Sequence, residues 1–134
     1  MYIYEKESEN ILITWNRTKL KIIPIDRFQS LCDRYDYFPD LIINKSNPDS
    51  RASYINGKII IYTSKHETSN SYYWLYCHEY FHMLIDHNKA AQHYLSRFPT
   101  DARDSIEEMF CNIFATIEAK GQYDGDWLVK RSKK

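Results

Sequence analysis

The residues of this chain whose types and spacing carry the most chemistry are His78-Glu79-Tyr80-Phe81-His82, an HExxH arrangement. On a helix of 3.6 residues per turn, positions four apart lie one above the other, so both imidazoles can reach one ion while Glu79 projects about 100° away. Two neutral imidazole nitrogens at about 2.0–2.1 Å suit Zn²⁺, and the neighbouring carboxylate can hydrogen-bond a water in the open coordination position. The spacing therefore points to metal-assisted hydrolysis, with His78 and His82 as ligands and Glu79 as general base.

A catalytic zinc takes three protein ligands and keeps one position open. The downstream candidates are His87, His93, Asp101, Asp104, Glu107 and Glu108. His87 lies about 180° around the helix from His78, which removes it from the same ion. The extended zincin pattern, with Gly three and His six residues after the second histidine, is absent because Ile85 and Asn88 hold those places. Glu108 is the preferred third ligand. It begins a strip with Asn112, Ala115 and Ala119 whose small residues would let a neighbouring helix approach closely.

HEYFHMLIDH followed by EEMFCNIFA resembles the ImmA/IrrE family of zinc metallopeptidases, in which an HExxH helix precedes one reading Glu-x-x-Ala-Asn-x-Phe-Ala. Glu108, Cys111, Asn112, Phe114 and Ala115 fall in those places, with Cys111 where a small Ala is usual. The resemblance spans about residues 50–120 and stops short of the family's Leu-Leu-Met-Pro-like stretch, where this chain reads TIEAKGQYDGD. It implies a gluzincin-like site with Zn on His78, His82 and Glu108, and Glu79 as catalytic base. The implied substrate is a protein or peptide, such as a helix-turn-helix repressor of a phage or mobile element.

The elements that must position these residues follow from periodicity and turn signals. Ser69, Asn70 or Ser71 can cap a helix running through YYWLYCHEYFHMLIDHN. Pro99-Thr100-Asp101 opens a second helix, for which Gly121 suits the left-handed C′ position. Its wide apolar stripe of Ile106, Met109, Phe110, Ile113, Phe114 and Ile117 reads as core-facing. Asn56-Gly57 predicts a tight hairpin over about 52–62, whose second strand, 58–62, could offer a free edge to an extended peptide or equally be a fully paired core strand. Asp26 precedes a short amphipathic helix (Phe28, Leu31, Cys32, Tyr35) ending before Pro39, and residues 41–43 suit a strand. The segment 3–15 fits either helix or strand, and NKSNPDS is a turn-rich connection. Asp86, four residues after His82, could orient an imidazole. The expected fold is α+β and zincin-like, a small antiparallel sheet packed against the HExxH helix and the Glu108 helix.

At 134 residues the chain has room for one domain, and 43% hydrophobic residues suffice for a core. Residues 1–134 are read as a single metallopeptidase-like domain with a basic tail at 130–134. Lys plus Arg and Asp plus Glu balance at 18 each, which removes the basic field that a nuclease or other nucleic-acid binder would need. The twelve tyrosines read chiefly as packing around a small core. Cys32, Cys77 and Cys111 show no CxxC spacing, which argues against a disulfide framework and for a reducing compartment. The N-terminal MYIYEKESEN has no apolar stretch of a secretory signal and the longest aliphatic run is Ile59 to Ile61, so a soluble, cytoplasmic protein without membrane partners is expected. The competing reading is a catalytically idle zincin-fold interaction protein that holds a partner in an aromatic groove.

Overall fold

The computed structural model describes residues 2–7, 10–15, 18–44, 51–63 and 67–124, the part before residue 23 by its backbone alone. Three N-terminal strands, β1 (Tyr2–Glu7), β2 (Asn10–Trp15) and β3 (Thr18–Ile23), form an antiparallel meander with a register shift between Ile13 and Thr14. The alternative left open for residues 3–15 thus resolves to strand, as suits their Ile, Thr and Trp content. Helix α1 (Ile25–Tyr35) follows and buries Phe28, Leu31 and Cys32; the Asp26 carboxylate accepts the Arg27 N–H at 2.8 Å. Asp36, in the left-handed region at φ 56°, ends it ahead of Pro39.

A second, three-stranded sheet is built from β4 (Asp40–Asn44), β5 (Ala52–Ile55) and β6 (Lys58–Tyr62). Asn56 and Gly57, with φ 49° and 78°, make the two-residue turn between β5 and β6 that the Asn-Gly pair predicts. The antiparallel sheet needs correction, and the alternative left open for 58–62 is decided. The sheet is mixed, because β6 runs antiparallel to β5 but parallel to β4. The order β4-β6-β5 also makes 58–62 the central strand, paired on both sides, and leaves β5 at the edge. Burial explains the arrangement: Ile59 and Ile61 are wholly buried, and the most apolar strand takes the interior place. The NKSNPDS turn at 45–50 and the basic tail lie outside the described residues.

Helix α2 (Ser69–Asp86) runs through the middle of the fold, burying residues on nearly every side, among them Tyr72, Tyr73, Tyr76, Cys77 and Tyr80. Most of its tyrosines are core residues: Tyr76 stacks on Phe28 with centroids 4.0 Å apart and lies 3.1 Å from the Cys32 sulfur. Its N-cap is Thr68, one residue before the predicted caps. The Thr68 hydroxyl accepts the Ser71 N–H at 2.9 Å, and the Thr68 N–H donates to the Ser71 hydroxyl at 2.7 Å, a reciprocal pair that Ser69 or Asn70 could not complete. Beneath this cap the buried Glu67 carboxylate accepts from the Ser71 hydroxyl at 2.9 Å and from the Tyr123 hydroxyl at 2.6 Å. A short helix α3 (Lys89–Leu95), capped by Asn88, separates α2 from α4 (Thr100–Ala119).

Packing on α4 reverses the face expected from its apolar residues. Cys111, Ala115 and Ala119, at successive four-residue steps, are the buried positions against α2, while Met109, Phe110, Ile113 and Ile117 are exposed. The aromatic bulk of α2 leaves room only for small side chains at this crossing, and closeness prevails over the wider stripe. Ile106 and Phe114 alone of that stripe reach the core, as partly buried residues. Lys120 at φ 58°, not Gly121, adopts the left-handed conformation that ends α4. Among the described residues no helix is long and apolar enough to cross a membrane.

The reversal predicts which substitutions matter. Ala115→Leu should destabilise the protein by about 1–3 kcal/mol through overpacking, whereas Ile117→Ser at an exposed site should stay within about 0.5 kcal/mol. Urea unfolding of both variants checks this; an Ile117→Ser loss larger than that of Ala115→Leu would restore the apolar stripe as the packed face.

Candidate metal centre

The centre lies where α2 crosses α4. Helical spacing puts His78 and His82 on the same side of α2, with ring centroids 4.9 Å apart and planes at 75°. The Trp74 ring stacks on His78 at 5.4 Å, and the Trp74 indole N–H donates to the Thr116 hydroxyl at 3.2 Å, which anchors the stack to α4. Only 8% of the His78 surface remains exposed, and its Nδ1 is buried without a hydrogen-bond partner. Such an atom is costly unless something binds there.

Glu108 on α4 faces both rings. One carboxylate oxygen stands 3.1 Å from His78 Nε2 and the other 2.8 Å from His82 Nε2. Glu108, the glutamate of the strip with Ala115 and Ala119, is thus brought against both histidines. Glu79 stays close too: its carboxylate is 3.8 Å from His78 Nε2, on the side towards the β5 edge, where the Tyr54 backbone N–H donates to it. Burial raises the Glu79 carboxyl to about 7, the Glu108 charge adding to this and His82 and the Tyr54 N–H opposing it.

Two further residues complete the group: Glu107, a candidate ligand that takes a different place here, and Cys111, which is not among the sequence candidates. Glu107 holds His82 Nδ1 at 2.5 Å, so the second ring nitrogen of His82 is fixed by a carboxylate while Nε2 faces Glu108. The orienting role proposed for Asp86 thus belongs to Glu107; Asp86 ends α2 exposed to solvent. Cys111 is the other, with its sulfur and the histidine nitrogens all within 4.8 Å of one another. It lies one turn after Glu107 and Glu108 on the α2-facing side of α4, and its spacing of four to Ala115 and eight to Ala119 is the sequence signal that marks it as facing α2. Burial, with the charges of Glu108, Glu107 and Glu79, raises its thiol.

The two imidazoles are tuned in opposite directions. Burial lowers the pKa of His78 despite Glu108. Burial also opposes charge on His82, but the Glu107 hydrogen bond and the charges of Glu79 and Glu108 outweigh it and leave the group raised. Among the described residues the other histidines are elsewhere: His87 caps the end of α2 and stacks on Tyr37 at 5.6 Å, and His93 is exposed on α3. Asp101 and Asp104 are exposed in the first turns of α4. Cys77 is an inert packing residue, its thiol pushed up to about 12 by burial.

Compared with known protein families, curated proteins and solved structures, the chain matches none of them. Its own geometry therefore carries the reading. The buried His78, His82 and Cys111 have the donor types and spacing to hold a metal ion, and imidazole with thiolate is a set suited to zinc among the divalent metals.

Glu79 supplies a pH-dependent signature in chelator-treated protein. Its carboxyl holds a proton to about 7 when folded, against an ordinary 4.5. The folded state is then favoured at low pH, and this contribution is lost as the pH climbs from the unfolded to the folded value. Glu79→Gln should flatten that decline and be the more stable protein at pH 8, by on the order of 3 kcal/mol. Denaturant unfolding of both proteins across this range checks it; parallel pH profiles would contradict a buried, proton-holding Glu79.

Proposed function

We propose that the chain is a zinc-dependent metallopeptidase, with His78, His82 and Glu108 as metal ligands and Glu79 as general base. The observation that carries this reading is the meeting of one Glu108 carboxylate with both Nε2 atoms, at 3.1 and 2.8 Å, beside a buried carboxyl raised to about 7. Zinc bound there would lower the pKa of its water and polarise a peptide carbonyl. Glu79, poised near neutral pH, takes the proton of the attacking water and returns it to the leaving amine. Glu107 keeps the His82 ring in register through Nδ1, and Trp74 keeps His78 in its plane.

The edge strand β5 supports a peptide substrate. It lies at the sheet edge beside Glu79, which accepts the Tyr54 N–H, so an extended segment laid along that edge would pass the general base. Resemblance of HEYFHMLIDH and EEMFCNIFA to the ImmA/IrrE metallopeptidases adds the zincin-like assignment, a cytoplasmic setting and a helix-turn-helix repressor as the substrate to try first. A second reading, an idle zincin-like protein that binds a partner, is favoured by one observation: Met109, Phe110, Ile113 and Ile117 form an exposed apolar face on α4.

Two measurements test the reading. Elemental analysis should find about one zinc per wild-type chain, sharply reduced in His82→Ala and in Glu108→Ala. Glu79→Gln should keep the metal and lose about 10²–10⁴-fold in peptide cleavage. Full activity in Glu79→Gln would leave the partner-binding reading, and absence of zinc after reconstitution would remove the peptidase.

A further inference from the structure

We propose that Cys111 is itself a ligand of the metal held by His78 and His82, a sulfur donor on the buried side of the ion. This deepens the metallopeptidase reading and rests on its metal centre. The sulfur and the histidine nitrogens lie within 4.8 Å of one another, a span that a tetrahedral ion can draw together with small side-chain rotations. Cys111 is wholly buried on α4, facing α2, and the neighbouring His78 is nine-tenths buried with an unpartnered Nδ1. The thiol therefore stands beside two imidazoles at the helix crossing, with Ile85 and Leu95 as its apolar neighbours.

Position on α4 separates two kinds of donor. Glu108 has a side chain 56% exposed and reaches the histidines from the solvent side. Cys111 reaches them from within, one turn along the same helix, where the resemblance expects a small Ala. Cys111 then joins His78, His82 and Glu108 as a further protein donor on the buried side, and Glu108 keeps the side that water and substrate must use. Binding breaks the S–H bond and forms a metal–sulfur bond, with the proton released to solvent, so metal uptake is accompanied by loss of one reactive thiol.

The test adds Co²⁺ to the chelator-treated full chain and reads its absorption spectrum. Expected is a thiolate-to-cobalt charge-transfer band that disappears in Cys111→Ser and persists in the Cys32→Ser/Cys77→Ser double variant. Zinc affinity should fall more than about tenfold in Cys111→Ser, at least the loss seen when an outer partner of a ligand is removed. Zinc-edge X-ray absorption of the wild type needs no variant and should show a sulfur at about 2.3 Å. Bound cobalt or zinc with nitrogen and oxygen neighbours only would overturn the sulfur ligand and leave the His78/His82/Glu108 centre standing. Failure of the wild type to bind either metal would overturn both.

Discussion

Close approach of α2 and α4 is the constraint from which the rest of the structure follows. Helices pack at distances set by the side chains between them, and here Cys111, Ala115 and Ala119 present little volume to a partner rich in aromatics. The short separation lets two carboxylates of α4, Glu107 and Glu108, come within hydrogen-bonding distance of two imidazoles of α2. Larger residues at those three positions would move the acids out of reach without touching any of them. Packing and chemistry are thus the same feature seen at two places along one crossing.

Charge at the crossing is unevenly matched. Among the described residues Glu79, Glu107 and Glu108 face His78 and His82, and the sulfur of Cys111 lies near both histidines. Desolvation and mutual repulsion keep protons on Glu79 and Cys111, while the same acids raise His82 against the desolvation that opposes its charge. A divalent cation would meet the same excess more directly, replacing several protons with one ion. The tuning of the individual groups and the affinity for a cation are consequences of a single surplus of negative charge in a poorly solvated place.

What was legible in the sequence is what depends on a single helix or turn. HExxH spacing, the Asn56-Gly57 turn and the extents of α1, α2 and α4 follow from local periodicity, and the structure bears them out. Glu108 also came from local spacing, through the small residues after it. The rotation of α4 was not legible, because Ile113 and Ile117 look like core residues until the bulk of α2 is known. The contact of Glu107, a candidate ligand, with His82 Nδ1 and the place of Cys111 beside the histidines were not legible for the same reason, since both exist only in that rotation. Parallel pairing of β4 with β6 joins segments that are not neighbours in the chain, and no turn signal announces such a pair.

The buried carboxylate of Glu67 ties the two ends of this arrangement together. It joins the cap of α2 to Tyr123, 56 residues later, and Asp124 accepts the Thr68 hydroxyl beside it at 2.7 Å. Closing a loop of that length carries an entropic cost that is recovered only when the intervening helices are already docked. During synthesis the HExxH segment leaves the ribosome well before Tyr123 does, so its first turn waits, incompletely fastened, for the stretch that follows α4. The α2 cap is thus completed by residues that follow α4, beyond the acids that meet the two histidines.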